Sequence, residues 1–133
     1  MRPTFNRRQF AAGAVALGMG ATLSACATLT RTPNMYGLIG RAKAQPGKRD
    51  SLIAVLLEGT GEMPGCLSYV IAEDPTDGDS LWITEVWDSQ ESHKASLSLP
   101  SVKDAIARGR PLIAGFGERF ETRPVGGQGI KAG

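Results

Sequence analysis

The segment Ser80–Trp87 (SLWITEVW) constrains the fold most, because it is rich in β-branched and aromatic residues and leads directly into a helix start. Asp88 predicts an N-cap there, and Glu91, three residues further on, predicts the returning contact of a capping box. Upstream, Cys66–Glu73 alternates well enough to predict a strand, and the polar loop 74–79 joins the two segments as a hairpin. The centre of the chain therefore predicts a sheet with helices packed on it.

Two elements are predicted before this hairpin. Met35–Ala44 predicts a first strand, and Gln45-Pro46-Gly47 ends it. In the helix that follows, Leu52, Val55 and Leu56 fall on one face.

Two more elements are predicted after the helix that starts near Asp88. Pro100 predicts the first turn of another helix, in which Val102, Ala105 and Ile106 fall on one face. Phe116–Arg123 predicts a last strand, with Phe116 and Phe120, four residues apart, on one face. The whole order predicts the split βαβ arrangement of a ferredoxin-like α+β sandwich, an antiparallel sheet with helices on one side.

Residues 1–25 have the composition of an export signal. Arg7 and Arg8 precede the apolar run Phe10–Leu23, which is too short and too rich in Gly and Ala for a membrane span of roughly 20 strongly apolar residues. Asn6-Arg7-Arg8-Gln9-Phe10 resembles a twin-arginine motif, and Leu23-Ser24-Ala25-Cys26 resembles a bacterial lipobox. We therefore predict an exported protein, lipid-anchored through Cys26 at the cell envelope; the alternative is an uncleaved helix with a chance cysteine.

This boundary divides the chain into a signal (1–25), a tether (26–34), one domain (35–125) and a flexible tail (126–133). Removal of the signal leaves 108 residues with 12 basic and 13 acidic side chains, so no basic stripe for nucleic acid is expected. Cys66 is then the one thiol besides Cys26, which excludes a disulfide framework and predicts either a small buried hydrophobic residue or a reactive thiol. With one histidine, a transition-metal site is not expected.

Three segments in order resemble the antibiotic biosynthesis monooxygenase domain family, which includes cofactor-free quinol and anthrone oxygenases. They are Ala44–Lys48 (AQPGK), Pro64–Tyr69 (PGCLSY) and Glu85–Ser89 (EVWDS) with Glu91, and the resemblance covers essentially all of 35–125. It implies a homodimer in which two sheets form a dimeric α+β barrel, with a pocket between sheet and helices in each copy. It also implies oxidation by molecular oxygen without a bound cofactor.

The chain departs from the family at several positions. Family members often carry histidines at places that correspond to Ser96 and Ser101, whereas His93 is the only histidine here. The Trp, His and Asn of haem-degrading relatives are also absent, since Ser96 and Ile106 hold two of these positions and no Asn occurs in 35–44. Haem degradation is therefore disfavoured.

Two residues are candidate general bases. His93 has a suitable ordinary pKa, but its polar neighbours also fit a solvated surface position. Glu85 shares a strand face with Trp87, so a covered face would give its carboxylate either a raised pKa or an ion pair with a basic residue such as Arg41 or Arg119, within the chain or across the dimer.

Four aromatic residues are candidate substrate contacts: Tyr36, Tyr69, Trp82 and Trp87. Packing alone is the competing interpretation for each of them. Because Trp82 and Trp87 are five positions apart in a strand, they are predicted to face opposite sides of the sheet.

Two functions remain open at this level. The first is a membrane-tethered, cofactor-independent monooxygenase that oxidises a small hydroxylated aromatic substrate with O₂. The second is a non-catalytic lipoprotein that binds a hydrophobic ligand or an envelope partner. An inward-facing His93 or Glu85 would favour the enzyme, and an apolar pocket without a titratable group would favour the binding protein.

Overall fold

The computed structural model describes residues 34–130. The predicted signal, Cys26, the tether up to residue 33 and the last three residues lie outside this range, and their assignments stay predictions. No helix within the described range is long and apolar enough to cross a membrane.

The described residues form four strands and three helices. Their order is β1 (Tyr36–Ala44), α1 (Arg49–Gly59), β2 (Cys66–Glu73), β3 (Ser80–Trp87), α2 (Gln90–Ser96), α3 (Pro100–Gly109), a short 3₁₀ turn (Arg110–Leu112) and β4 (Ile113–Thr122). The sheet order is β2-β3-β1-β4, and all neighbours are antiparallel. The fold is the ferredoxin-like α+β sandwich that the sequence predicts.

The core lies between the helices and one face of the sheet. Alternate residues of β1 and β3, among them Ala42, Ala44 and Leu81, point to this face and pack with Leu52 of α1. The opposite face of the sheet has no helix of the described chain on it. We call the first the covered face and the second the open face.

A β-bulge in β4 overturns one prediction. Phe120 pairs with Ile39, but Phe116 pairs with Ala42, so four residues of β4 oppose three of β1. The extra residue changes the alternation, and Phe116 and Phe120 therefore lie on opposite faces rather than on one. Phe116 belongs to the covered face and Phe120 to the open face.

The start of α2 differs by one residue from the predicted capping box. Ser89, not Asp88, is the N-cap, and its hydroxyl accepts a hydrogen bond from the backbone N–H of Ser92 at 3.1 Å. Asp88 instead accepts a hydrogen bond from the Ser89 hydroxyl at 3.2 Å. A Ser directly after an Asp offers two possible caps, and the extended backbone of Ser89 decides between them.

Candidate active site

The register of the sheet brings several predicted site residues together on the covered face. Trp87 of β3 lies opposite Tyr36 of β1, and Glu85 lies opposite both Leu38 of β1 and Tyr69 of β2. Directly opposed residues of antiparallel strands share a face, with their Cβ atoms about 5 Å apart. A carboxylate is thus placed among aromatic side chains between sheet and helices.

Helix α2 places His93 over this group. Besides the Ser89 cap, α2 is fixed by a close approach at Gly65, where a Cβ would lie 2.5 Å from Ser92 Cβ and where φ is +81°. The His93 ring centroid lies 5.2 Å from that of Tyr36 and 5.5 Å, edge-on, from that of Trp87. His93 faces inward, with 15% of its side chain exposed, although its neighbours in the sequence are polar.

The Glu85 carboxylate is the chemical centre of the group. It accepts a hydrogen bond from the Trp87 indole N–H at 2.8 Å, and the same oxygen lies 3.8 Å from His93 Nε2. Burial raises the pKa of Glu85 above its ordinary value of 4.5, while the Trp87 hydrogen bond and the charges of His93 and Arg119 act in the opposite direction. We call Tyr36, Glu85, Trp87 and His93 the Glu85 cluster.

Neither predicted ion pair of Glu85 forms within the described residues. Arg41 lies on the open face, where its Nε is 3.0 Å from Asp74 Oδ2. Arg119 lies on the covered face, opposite Gly40, and acts on Glu85 through its charge rather than through a direct contact. Within these residues, burial raises the pKa of Glu85, and an ion pair across a dimer stays a prediction.

Hydroxyl and thiol groups around the cluster are held in their protonated forms. The Tyr36 hydroxyl donates to Glu121 at 2.9 Å, and burial followed by this hydrogen bond raises the pKa of Tyr36. Burial and the negative charge of Glu85 also raise the pKa of Tyr69 and that of the Cys66 thiol. A protonated Cys66 is a poor nucleophile, which favours its interpretation as a packing residue.

Glu85 lines a cavity of about 480 Å³ on the covered face. Its wall includes the apolar residues Leu38, Ile83 and Phe116. The other charged residues that line it are Arg41, Glu118 and Arg119. This volume falls in the range of small-molecule sites, and an apolar wall with a few charged groups is their usual composition. Glu85 is the one predicted site residue in this wall, because Tyr36, Tyr69, Trp87 and His93 do not line the cavity. His93 Nε2 lies 3.8 Å from the Glu85 carboxylate.

Trp82 is the one predicted substrate contact that lies away from the cluster. It is on the open face, opposite Arg41, and its indole N–H donates to Asp74 at 3.1 Å. Hydrogen bonds from Thr76 lower the pKa of Asp74 to about 2, and those from the Asp79 backbone and Ser80 do the same for Asp77. Trp82 therefore anchors the β2–β3 loop.

The family model of antibiotic biosynthesis monooxygenases matches residues 35–108, more than half of the chain. The match includes both candidate bases and the three aromatic residues that surround them. The chain belongs to the antibiotic biosynthesis monooxygenase family.

Solved structures resemble the chain to different degrees. A protein of Chloroflexus aurantiacus that bears the same family name is 70% identical, with a TM-score of 0.72 over 74% of this chain and 100% of that one. One from Caulobacter crescentus with the same family name is 23% identical, with a TM-score of 0.59 over 71% of this chain and 92% of that one. The second likeness shows the fold alone.

A further relative gives no information about activity. The uncharacterized protein sll1783 of Synechocystis is 28% identical over 78 residues, which cover 56% of this chain and 53% of that protein. The chain thus spans about half the length of this relative.

Two functional candidates from β4 could not be located from the sequence. Glu121 accepts from Tyr36, and Phe116 lines the cavity, because the bulge sets which β4 residues reach the covered face. The sequence offers one signal for these residues. Arg119 and Glu121 are two positions apart in a strand, with Phe120 between them, so they are expected to share a face. Within residues 34–130, no group of three or more His, Cys, Asp or Glu side chains is arranged to hold a metal ion.

Proposed function

We propose that the chain is a cofactor-independent monooxygenase that oxidises a small hydroxylated aromatic compound, of the quinol or anthrone type, with O₂. The observation that carries this proposal is the buried Glu85 carboxylate, with a raised pKa, on the wall of an apolar cavity. A general base works best when its pKa lies near the pH at which it acts. Membership of the family supplies the class of reaction.

The reaction requires a base and a place for an anion. Glu85 accepts the proton of the substrate hydroxyl, and His93 Nε2, 3.8 Å away, is placed to stabilise or relay it. Arg119 lines the same cavity and balances the negative charge that forms on the substrate. Tyr36 and Trp87 hold the two bases in position.

The atoms and electrons balance without another reductant. The electron-rich ring carbon of the substrate anion forms a bond to one oxygen of O₂ and gives a hydroperoxide. The O–O bond then breaks, one oxygen stays as a carbonyl group, and the other leaves as water with two hydrogens from the substrate. The C–H bond of the attacked ring carbon breaks in the same step. An anthrone thereby becomes an anthraquinone, and from a quinol the new carbonyl group tautomerises to the hydroxyl group of a hydroxyquinone. The substrate supplies every electron.

We also propose that the working unit is a homodimer formed through the open face. Val70, Thr84, Ile39 and Phe120 form one row across all four strands, each paired with the next. Val70 is 52% exposed and Phe120 is 54% exposed, and such apolar patches on a soluble surface are usually covered by a partner. Anchoring of this dimer through Cys26 remains a proposal from the sequence.

Oxygen uptake tests the oxygenase. The purified full chain is offered reduced quinones and anthrones under ¹⁸O₂, and we expect one labelled oxygen atom in each product molecule. Glu85→Gln should lower kcat/KM by about 10²–10⁴-fold, the usual contribution of a general base. In the unaltered chain kcat/KM should rise with pH through a pKa above 4.5, and Glu85→Gln should abolish this rise.

Matched variants make the result specific. His93→Ala should also lower turnover, whereas Glu91→Gln, a neutralised carboxylate on the exposed side of α2, should leave it unchanged. Equal turnover in Glu85→Gln and Glu91→Gln would refute the role of Glu85. Binding of the quinones with no uptake across the panel would favour the non-catalytic lipoprotein.

A further inference from the structure

A second cavity continues from the Glu85 cavity along the covered face. It has a volume of about 500 Å³ and lies between α1, α3 and β4, with walls that include Leu52, Leu56 and Ile106. The two cavities share Ala42, Ile83 and Phe116 as lining residues, so they are contiguous. We call the one at Glu85 the head chamber and the other the tail chamber.

The two chambers differ in chemistry. The head chamber presents Glu85 and Arg119, and it is also lined by Arg41 and Glu118, whose charged groups lie 3.8 Å apart. The tail chamber is lined almost entirely by apolar side chains, with Arg110 as its charged residue. A ligand that fits both chambers has a polar ring at one end and an apolar chain at the other.

We propose that the substrate is an amphiphilic hydroxylated aromatic: its ring occupies the head chamber, and an alkyl or isoprenoid chain on the ring occupies the tail chamber. This inference rests on the proposed function and specifies its substrate class. The polarity gradient is what selects this occupant, because a ring without a chain would leave the apolar tail chamber filled by water. Phe116, on the shared wall and largely exposed, is placed to cover the chain where it passes from one chamber to the other.

Binding under anaerobic conditions tests the chain separately from the chemistry. The full chain is titrated with 2-methyl-1,4-naphthoquinol and with the same ring carrying a hexyl group in place of the methyl group. Binding is followed by the quenching of tryptophan fluorescence. Each buried methylene tightens binding about fourfold, so even partial burial should give the hexyl compound at least about tenfold higher affinity.

Variants that fill the tail chamber test whether the hexyl group binds there. Ile106→Trp fills this chamber from α3, at a position that is 40% exposed and therefore tolerant of a larger side chain. It should remove the preference for the hexyl compound and leave the affinity for the methyl compound unchanged. Leu57→Trp, on the exposed side of α1, should keep the preference. Ala114→Phe fills the same chamber from β4 and serves if Ile106→Trp does not fold.

The outcomes separate this inference from the oxygenase itself. Equal affinity for the two quinols, or a preference that survives both filling variants, would overturn the tail chamber as the chain site, whatever the oxygen uptake. Uptake of O₂ with the methyl compound would still support the oxygenase in that case. A preference lost in Ile106→Trp without any uptake would support the chain site and refute the oxygenase.

Discussion

At the scale of single residues, Glu85 places function and stability in opposition. Its pKa is raised in the folded chain, so between the ordinary value of 4.5 and the raised value the folded state holds more protons than the unfolded state. The free energy of unfolding therefore falls as pH rises through this window, and the full cost of the buried charge is present above it. A residue that costs stability in this way is typical of active sites.

Replacement of Glu85 by Gln should therefore stabilise the protein. The amide oxygen can still accept the Trp87 hydrogen bond, but no charge is buried. We expect Glu85→Gln to have a higher Tm than the unaltered chain at neutral pH, and this difference to disappear below pH 4.5, where Glu85 is protonated in both states. Thermal unfolding followed by circular dichroism across this pH range measures it. Exposed Glu91→Gln is the control, and an equal rise in its Tm would contradict the argument.

At the scale of elements, α1 and α3 are held together by a contact that permits only glycine. A Cβ built on Gly59, the last residue of α1, would lie 2.2 Å from the Cβ of Ala105 in α3. The two helices form the roof of the tail chamber, so their separation also sets its volume. Backbone contact of this kind fixes the spacing more closely than flexible side chains could.

Gly59→Ala should separate the two helices at a cost of about 1–3 kcal/mol, the usual range for overpacking. Urea unfolding measures this as a lower midpoint with an unchanged m-value. Gly61→Ala is the matched control, because nothing lies within 4 Å of a Cβ at that position. Equal midpoints for the two variants would show that α3 moves away without cost.

The elements also show how far local sequence determines the fold. β2 and β3 occupy the predicted residues, because their alternation and the turns that flank them are local signals. The bulge in β4 was not foreseeable, since it depends on pairing with β1 across about 80 residues of sequence. The same limit applies to the site: the alternation of β3 places Glu85 beside Trp87, but only the packing of α2 turns His93 inward and only the bulge brings Phe116 to the cavity.

At the scale of the whole molecule, the open face is a surface over which residues 34–130 of a single copy place no helix. Its row of Val70, Ile39 and Phe120 is apolar, while Arg41 and Trp82 at the β2–β3 loop give it one polar end. An interface of standard size buries about 1,200–2,000 Å² in total, and a four-stranded sheet face from each copy is of this order. Two-fold symmetry would place the apolar row of one copy against that of the other.

Charges of the same sign on this row should therefore separate the copies. We expect the full chain to sediment as a dimer, and Val70→Glu with Phe120→Glu to sediment as a monomer, because each acidic side chain would be buried against its like in the partner. Leu57→Glu, an equally exposed apolar residue of α1, should leave the dimer intact. Since the Glu85 cluster lies on the other side of the sheet, the monomeric variant should still bind quinols in the head chamber. A dimer that persists in the double variant would place the interface elsewhere, and the exposed row would then need a different partner.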